Sequence, residues 1–320
     1  MKVRRRGLLA SSLLAGPALA QPAWPSRSIR AIIPYTPGGA TDAMSRLAAQ
    51  KLQDAFGVQV IPENRPGGSG TVAGLAVAEA PPDGHTLLFT ASIHVMAKQV
   101  LKAAPYDPIA DFTPVARTGQ GPLLLVTGPR RPESRIDEVV AAARRDPKDW
   151  TWGVSSLGAA GHLATLEFNR LAGLAIPVTP YRGSAPALAD IAAGHVQLMC
   201  DPILAALPLA RGGQVKALAI TRPQRSPIAP EIPTAAESGM PGLDFGSWYG
   251  VWGPRGLPPE IVARLNAALV AGMAEPRTVE RLSALGFEPV AEAPAAFAAF
   301  IAADVARNAA LLAQAGFTPE

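Results

Sequence analysis

Cysteine is nearly missing from this chain. Among 320 residues there is one, Cys200, so no disulfide can form within the chain and stability must come from core burial. Histidine is scarce too: His85, His94, His162 and His195 are scattered without ligand-like spacing, which excludes a cysteine–histidine metal centre. Aromatic residues make up only 6% and charged residues 17%, so the chain lacks the basic, aromatic-studded surface of a nucleic-acid binder. Neither a G-x-S-x-G nucleophile elbow nor a G-x-x-x-x-G-K phosphate loop is present. Beyond the first twenty residues, no run is read as the stretch of roughly 20 apolar residues that spans a bilayer. These absences predict a protein with no metal, no cofactor and no catalytic activity.

What is present is a chain 48% hydrophobic with 30 Gly and 33 Pro, which reads as globular and rich in turns. Its first twenty residues put Lys2 and Arg4 to Arg6 before an apolar run from Leu8 and end on Ala18-Leu19-Ala20. This is the pattern of an export signal cleaved after Ala20, and it predicts a soluble protein in the periplasm. Arg5-Arg6 also permits the twin-arginine route, so both export routes stay open. The segment holds four of the 29 Lys+Arg and none of the 25 Asp+Glu; since 29 − 4 = 25, the rest of the chain is formally neutral. The overall charge of +4 is a property of the leader and argues for no anionic partner of large size.

Short β-like runs alternate with alanine-rich helical patterns, an α/β signature. Strands are read at Ile29–Pro34, Val58–Ile61 and Thr86–Thr90, with helices at Thr41–Phe56 and Thr71–Ala80. In the first helix Met44, Leu47, Ala48, Leu52 and Ala55 share a face. From Asp111 a long β-prone stretch interrupted by Gly119, Gly121 and Pro122 reads as a crossing into a second lobe. That lobe has strands near 151–154, 176–179, 196–200 and 215–220 and helices near 136–145, 162–172, 185–193 and 203–210. "FGSWYGVWGP", residues 245–254, is a second crossing, and three helical patterns follow it. The division is residues 21–121 plus 247–320 for the first lobe and 122–246 for the second, with a hinge at the crossings and a cleft between the lobes.

"TPGGATD", residues 36–42, takes the chain from a strand into a helix without a lysine or arginine. Gly38 and Gly39 let an anion approach the free N–H groups at the helix start, where the peptide dipoles sum to roughly half a positive charge. The residues alone favour the plainer alternative of a tight strand-to-helix turn with an N-cap. "RPGGSGTVAG" from Arg65 has a dinucleotide-like Gly68-x-Gly70-x-x-Ala73 but lacks the ribose-binding acid, and it reads as a structural turn. In the second lobe Ser155, Ser184 and Asp201 stand at three successive strand ends, where open α/β sheets bind ligands.

Seven phrases in order, "PGGATD", "ENRPGGSGTVAG", "APPDGHTLL", "YDPIADFTPVA", "PYRGSAPALADIAAGHVQ", "IPTAAESGMPG" and "WYGVWGPRGLP", resemble the Bug family of extracytoplasmic solute-binding proteins, receptors of tripartite tricarboxylate transporters. The resemblance implies a type 2 periplasmic-binding fold and a small-molecule carboxylate held between two α/β lobes by backbone amides and water. It implies ligand contacts at Tyr35, Pro37, Gly38, Gly39, Ala40, Thr41 and Asp42, and at Ser92 and His94. In the second lobe it implies Ser155, Ser156, Gly158, Tyr181, Arg182, Gly183, Ser184 and Asp201. Ile93 departs from the family pattern and brings a bulky apolar group near the cleft. The expected ligands are a dicarboxylate, an acidic amino acid or an aromatic acid. The expected partners are membrane transporter subunits or, in a rival reading, the periplasmic domain of a sensor kinase, with the receptor itself a monomer. A remote alternative makes Ser155 or Ser156 the nucleophile of an exported hydrolase with His162 as base.

Overall fold

The computed structural model describes residues 24–320, so the export-signal reading of residues 1–20 lies outside the described residues. Strand β1 (Ile29–Ile33) runs into α1 (Ala40–Phe56), followed by β2 (Val60–Asn64), α2 (Thr71–Ala78), β3 (Thr86–Ala91) and the short α3 (Ala97–Val100). Strand β4 (Phe112–Thr127), 16 residues long, leads to α4 (Ile136–Arg145), β5 (Trp152–Val154), α5 (Ala160–Ala172) and β6 (Val178–Pro180). Then come α6 (Ser184–Ala193), β7 (Leu198–Pro202), α7 (Ile203–Arg211), β8 (Lys216–Ile220) and β9 (Gly246–Pro254). The chain closes with α8 (Pro259–Met273), α9 (Pro276–Ala284), β10 (Glu288–Pro289) and α10 (Pro294–Gln314).

The strands are ordered β2-β1-β3-β9-β4-β7-β5-β6, with β8 and β10 also paired to β4. Two parallel groups, β2-β1-β3 and β6-β5-β7, flank an antiparallel centre. Strand β4 in that centre links the two halves of the sheet. Its residues from Phe112 to Pro122 pair with β9, and from Leu123 to Thr127 they pair with β7 and β8. The inner parallel strands β1 and β3 are buried on both faces and read as nearly continuous apolar runs, with Ile29, Ala31, Ile32 and Ile33 of β1 fully buried.

Local chemistry sets the element ends. Met44, Leu47, Ala48 and Leu52 of α1 are buried, whereas Ala55, expected on the same face, is exposed at the last turn. Gly57 stops α1 with φ +69° and donates its N–H to Gln53 O at 2.9 Å, which delays β2 to Val60, two residues later than its sequence pattern suggests. Helix α10 is long and apolar enough to cross a bilayer by length and composition, contrary to the sequence reading. Alanines supply much of that hydropathy, and Phe297 and Ile301 are buried in the core, Phe297 lying 5.8 and 5.3 Å from the rings of Trp248 and Trp252.

Candidate functional site

A cavity of about 480 Å³ opens where the carboxyl ends of the two parallel groups face each other. From the first group it is lined by Tyr35, Pro37, Gly38, Gly39, Ala40, Thr41 and Ser92; from the second by Ser155, Ser156, Arg182, Gly183 and Ser184. All of these were expected from the sequence. The residues at the starts of α1, α5, α6 and α7 line the same space. None of the four helices has a side chain capping its first turn. Their leading N–H groups therefore present partial positive charge to whatever occupies the cavity. Arg182 is the one charged side chain on the wall, and it has no ion-pair partner among the described residues. Arg182, expected from the sequence, is exposed and adds a formal charge to a wall otherwise made of helix starts and neutral side chains.

Of the other expected contacts, Asp42, His94, Gly158 and Asp201 stand behind the wall of this cavity, and Tyr181 lines an adjoining space that shares Ser155, Ser156 and Arg182. Asp42 accepts hydrogen bonds from the Gly38 N–H (3.1 Å), Asn64 Nδ2 (2.9 Å) and Arg46 Nε (2.9 Å). Asn64 Nδ2 also donates to Tyr35 O at 2.8 Å, so the carboxylate braces the glycine turn from inside. Burial works against that charge, but the bonds from Arg46, Asn64 and Gly38 prevail and hold its pKa below the usual carboxylate value. Gly158 donates its N–H to His162 Nδ1 at 3.0 Å and packs on Met96 and Val100. Tyr181 donates its hydroxyl to Asp190 at 2.6 Å.

His94 is placed in an aromatic core. Its ring lies 4.4 Å from Phe112 and 5.1 Å from Trp252, and Nδ1 is 3.3 Å from the Tyr106 hydroxyl. Burial lowers its pKa to about 3, so the ring is neutral. His162, the base of the hydrolase alternative, has Nδ1 occupied by the Gly158 N–H and its ring against Phe317, 5.2 Å away. That leaves Ser155 and Ser156 without the expected histidine partner.

Asp201 lies on β7 opposite Leu124 and is fully buried. Neither of its carboxyl oxygens has a hydrogen-bond partner, although the Ser184 and Ser155 hydroxyls are near enough to oppose the effect of burial. Burial dominates and carries its pKa up to about 7. The neighbouring Tyr249, also buried, lines the cavity and donates its hydroxyl to Ser247 Oγ at 3.0 Å.

The sequence reads Tyr249, with Trp248 and Trp252 in the second crossing, as an aromatic that packs the core; it is buried and also lines the cavity. The apolar wall from α7 has no sequence signal, because apolar helix spacing looks the same whether it faces a core or a cavity. Helix α5 is pressed directly onto β7 at Gly161, where an added Cβ would overlap the Cys200 carbonyl oxygen. Gly161→Ala is expected to destabilise the fold by about 2 kcal/mol in urea unfolding, and an unchanged midpoint would contradict this close approach.

A sequence profile described as tripartite tricarboxylate transporter family receptor matches residues 44–317. Protein BugT of Bordetella pertussis is 34% identical over 310 residues, covering 96% of this chain and 95% of that protein. The solved structure of R. palustris Rpa4515 with adipate is 36% identical with a TM-score of 0.88, covering 93% of this chain and all of that one. The structure of the periplasmic binding protein BugD is 31% identical with a TM-score of 0.85, covering 93% of this chain and 100% of that one. The α/β architecture described above is thus that of periplasmic binding proteins.

Proposed function

Because the chain belongs to the tripartite tricarboxylate transporter receptor family, we propose that it captures a small organic carboxylate in the periplasm and delivers it to the membrane subunits of such a transporter. One observation carries this reading: four uncapped helix starts and the unpaired Arg182 face a single cavity, with no acidic side chain on its wall among the described residues. Each N–H to carboxylate bond is charge-assisted and of the stronger kind. Several together, in a partly dry cleft, account for a micromolar affinity, or roughly 8 kcal/mol. Adipate in the R. palustris neighbour agrees with a carboxylate ligand.

In this reading the first lobe is residues 21–121 plus 247–320 and the second is 122–246, and the molecule closes by a hinge in the two crossing strands. The pairing of β4 with β9 up to Pro122–Gly246, and with β7 and β8 beyond it, supports a division at that point. A ligand that touches helix starts of both lobes binds the closed form better and shifts the population towards it.

The test is a thermal-unfolding screen of the purified protein, freed of copurified ligand, against organic acids. A ligand at about 100 times its dissociation constant adds roughly 2.7 kcal/mol. Arg182→Gln should weaken carboxylate binding about tenfold in calorimetric titration and flatten its dependence on salt, since it removes the wall's formal charge. Unchanged affinity in that variant would take Arg182 out of the site.

A further inference from the structure

We propose that the ligand is a monocarboxylate with an apolar body, aromatic or branched aliphatic, in preference to a dicarboxylate. This deepens the carboxylate-receptor reading and rests on it. On α7, Leu204, Ala205, Pro208 and Leu209 line the cavity at spacings i, i+1, i+4 and i+5, which is one face of a helix. The other face, with Ile203, Ala206 and Leu207, is buried in the core. A helix apolar on both sides belongs in a place where both sides are dry. Here the second side is open to the cavity: Pro208 is exposed, and Leu204, Ala205 and Leu209 are half-buried. Leu188 of α6 and Ile93 of the first group extend the same apolar surface.

A polar set that includes the charged Arg182 lies away from α7, while Thr41, Ser92, Ser184, Ser247 and Tyr249 also line the main cavity. Thr36, Ser155, Ser156 and Arg182 form a wall shared with an adjoining space of about 600 Å³, which the α7 residues do not reach. One carboxylate fits at that wall, against the helix starts and the guanidinium. A second carboxylate of the same ligand laid along the α7 side chains would lose its water against groups that offer no donor, a cost that the N–H groups of the helix's own first turn offset only at its start. An apolar body laid there gains the burial of roughly a whole side chain.

The experiment is calorimetric titration of the ligand-free protein with phenylacetate and 4-methylvalerate, and in parallel with adipate, succinate and glutamate. The apolar monocarboxylates are expected to bind at least about tenfold more tightly. Leu204→Asn and Ala205→Asn, each checked for an intact unfolding transition, should shrink that preference by about tenfold. Tighter binding of adipate, succinate or glutamate, or an unchanged preference in two folded variants, overturns the inference and leaves the receptor reading intact. Binding of no carboxylate at all overturns both.

Discussion

Gly39→Asp is expected to fold as well as the parent chain and to lose about a hundredfold in affinity for every carboxylate ligand. Gly39 is the residue before the first turn of α1, with φ −82° and ψ 172°, an extended conformation that any residue adopts. A Cβ added there meets nothing within 4 Å. Asp is among the residues best suited to that position, because its carboxylate accepts from the N–H groups of the first turn. Relative to Gly, the stability change is a few tenths of a kcal/mol in the favourable direction. The same carboxylate would occupy the donors that the ligand needs and set a negative charge in the cavity. Losing several charge-assisted bonds in a partly dry site costs about 2.7 kcal/mol, a factor of about one hundred. Calorimetry and urea unfolding read the two halves of this prediction separately. Retained affinity in the folded variant means that the α1 start is not part of the site; lost affinity with lost stability means only a damaged loop.

Asp201→Asn is expected to stabilise the protein at pH 8 by up to about 4 kcal/mol and to remove a pH dependence of the parent. In the folded chain burial raises the Asp201 pKa to about 7, against an ordinary value of 3.8. Folding therefore favours the protonated form. The contribution is fully present below about pH 4, is lost as the pH rises towards 7, and above that the native state holds a buried charge without a hydrogen-bonded partner. Asparagine is neutral throughout and remains within reach of the same serines. Other carboxylates, Asp42 and Asp107 among them, have lowered pKa values and tilt the parent's profile the opposite way. The informative quantity is accordingly the difference between variant and parent across pH 4 to 8. A variant less stable than the parent at pH 8 would mean that the Asp201 charge is satisfied in the native state.

Much of the architecture is legible in the sequence because the periodic signals are strong. Helix α4 matches its apolar spacing from Ile136 to Arg145, and the second crossing strand falls within the residues read for it. Strand β2 is displaced since the αL stop at Gly57 and an edge position that tolerates Pro62 both depend on neighbours along the sheet. The short turn of helix at Ser92–Met96 went unread for a related reason: its apolar residues are buried all round and carry no period. At the site, sequence marks the loops correctly but not which side chain of a loop looks outward. Asp42 and Tyr181 belong to the expected phrases, yet their side-chain oxygens are engaged by Gly38 and Asp190, and the expected contact His94 turns Nδ1 to the Tyr106 hydroxyl. Asp42 holds the glycine turn in shape, and only the fold separates that role from contact with the cavity. Arg182 illustrates the converse, since no pattern in "PYRGSAP" tells whether the guanidinium pairs with an acid or stays free.

The central claim is that one carboxylate is held jointly by helix starts from the two sides of the sheet. The most direct measurement is a crystal structure of the protein soaked or co-crystallised with phenylacetate. The account predicts a carboxylate within about 3 Å of backbone N–H groups both at 39–41 and at the start of α5 or α6, the distance of a charge-assisted bond. A carboxylate bound by residues of one side alone, or bound outside this cavity, would contradict it.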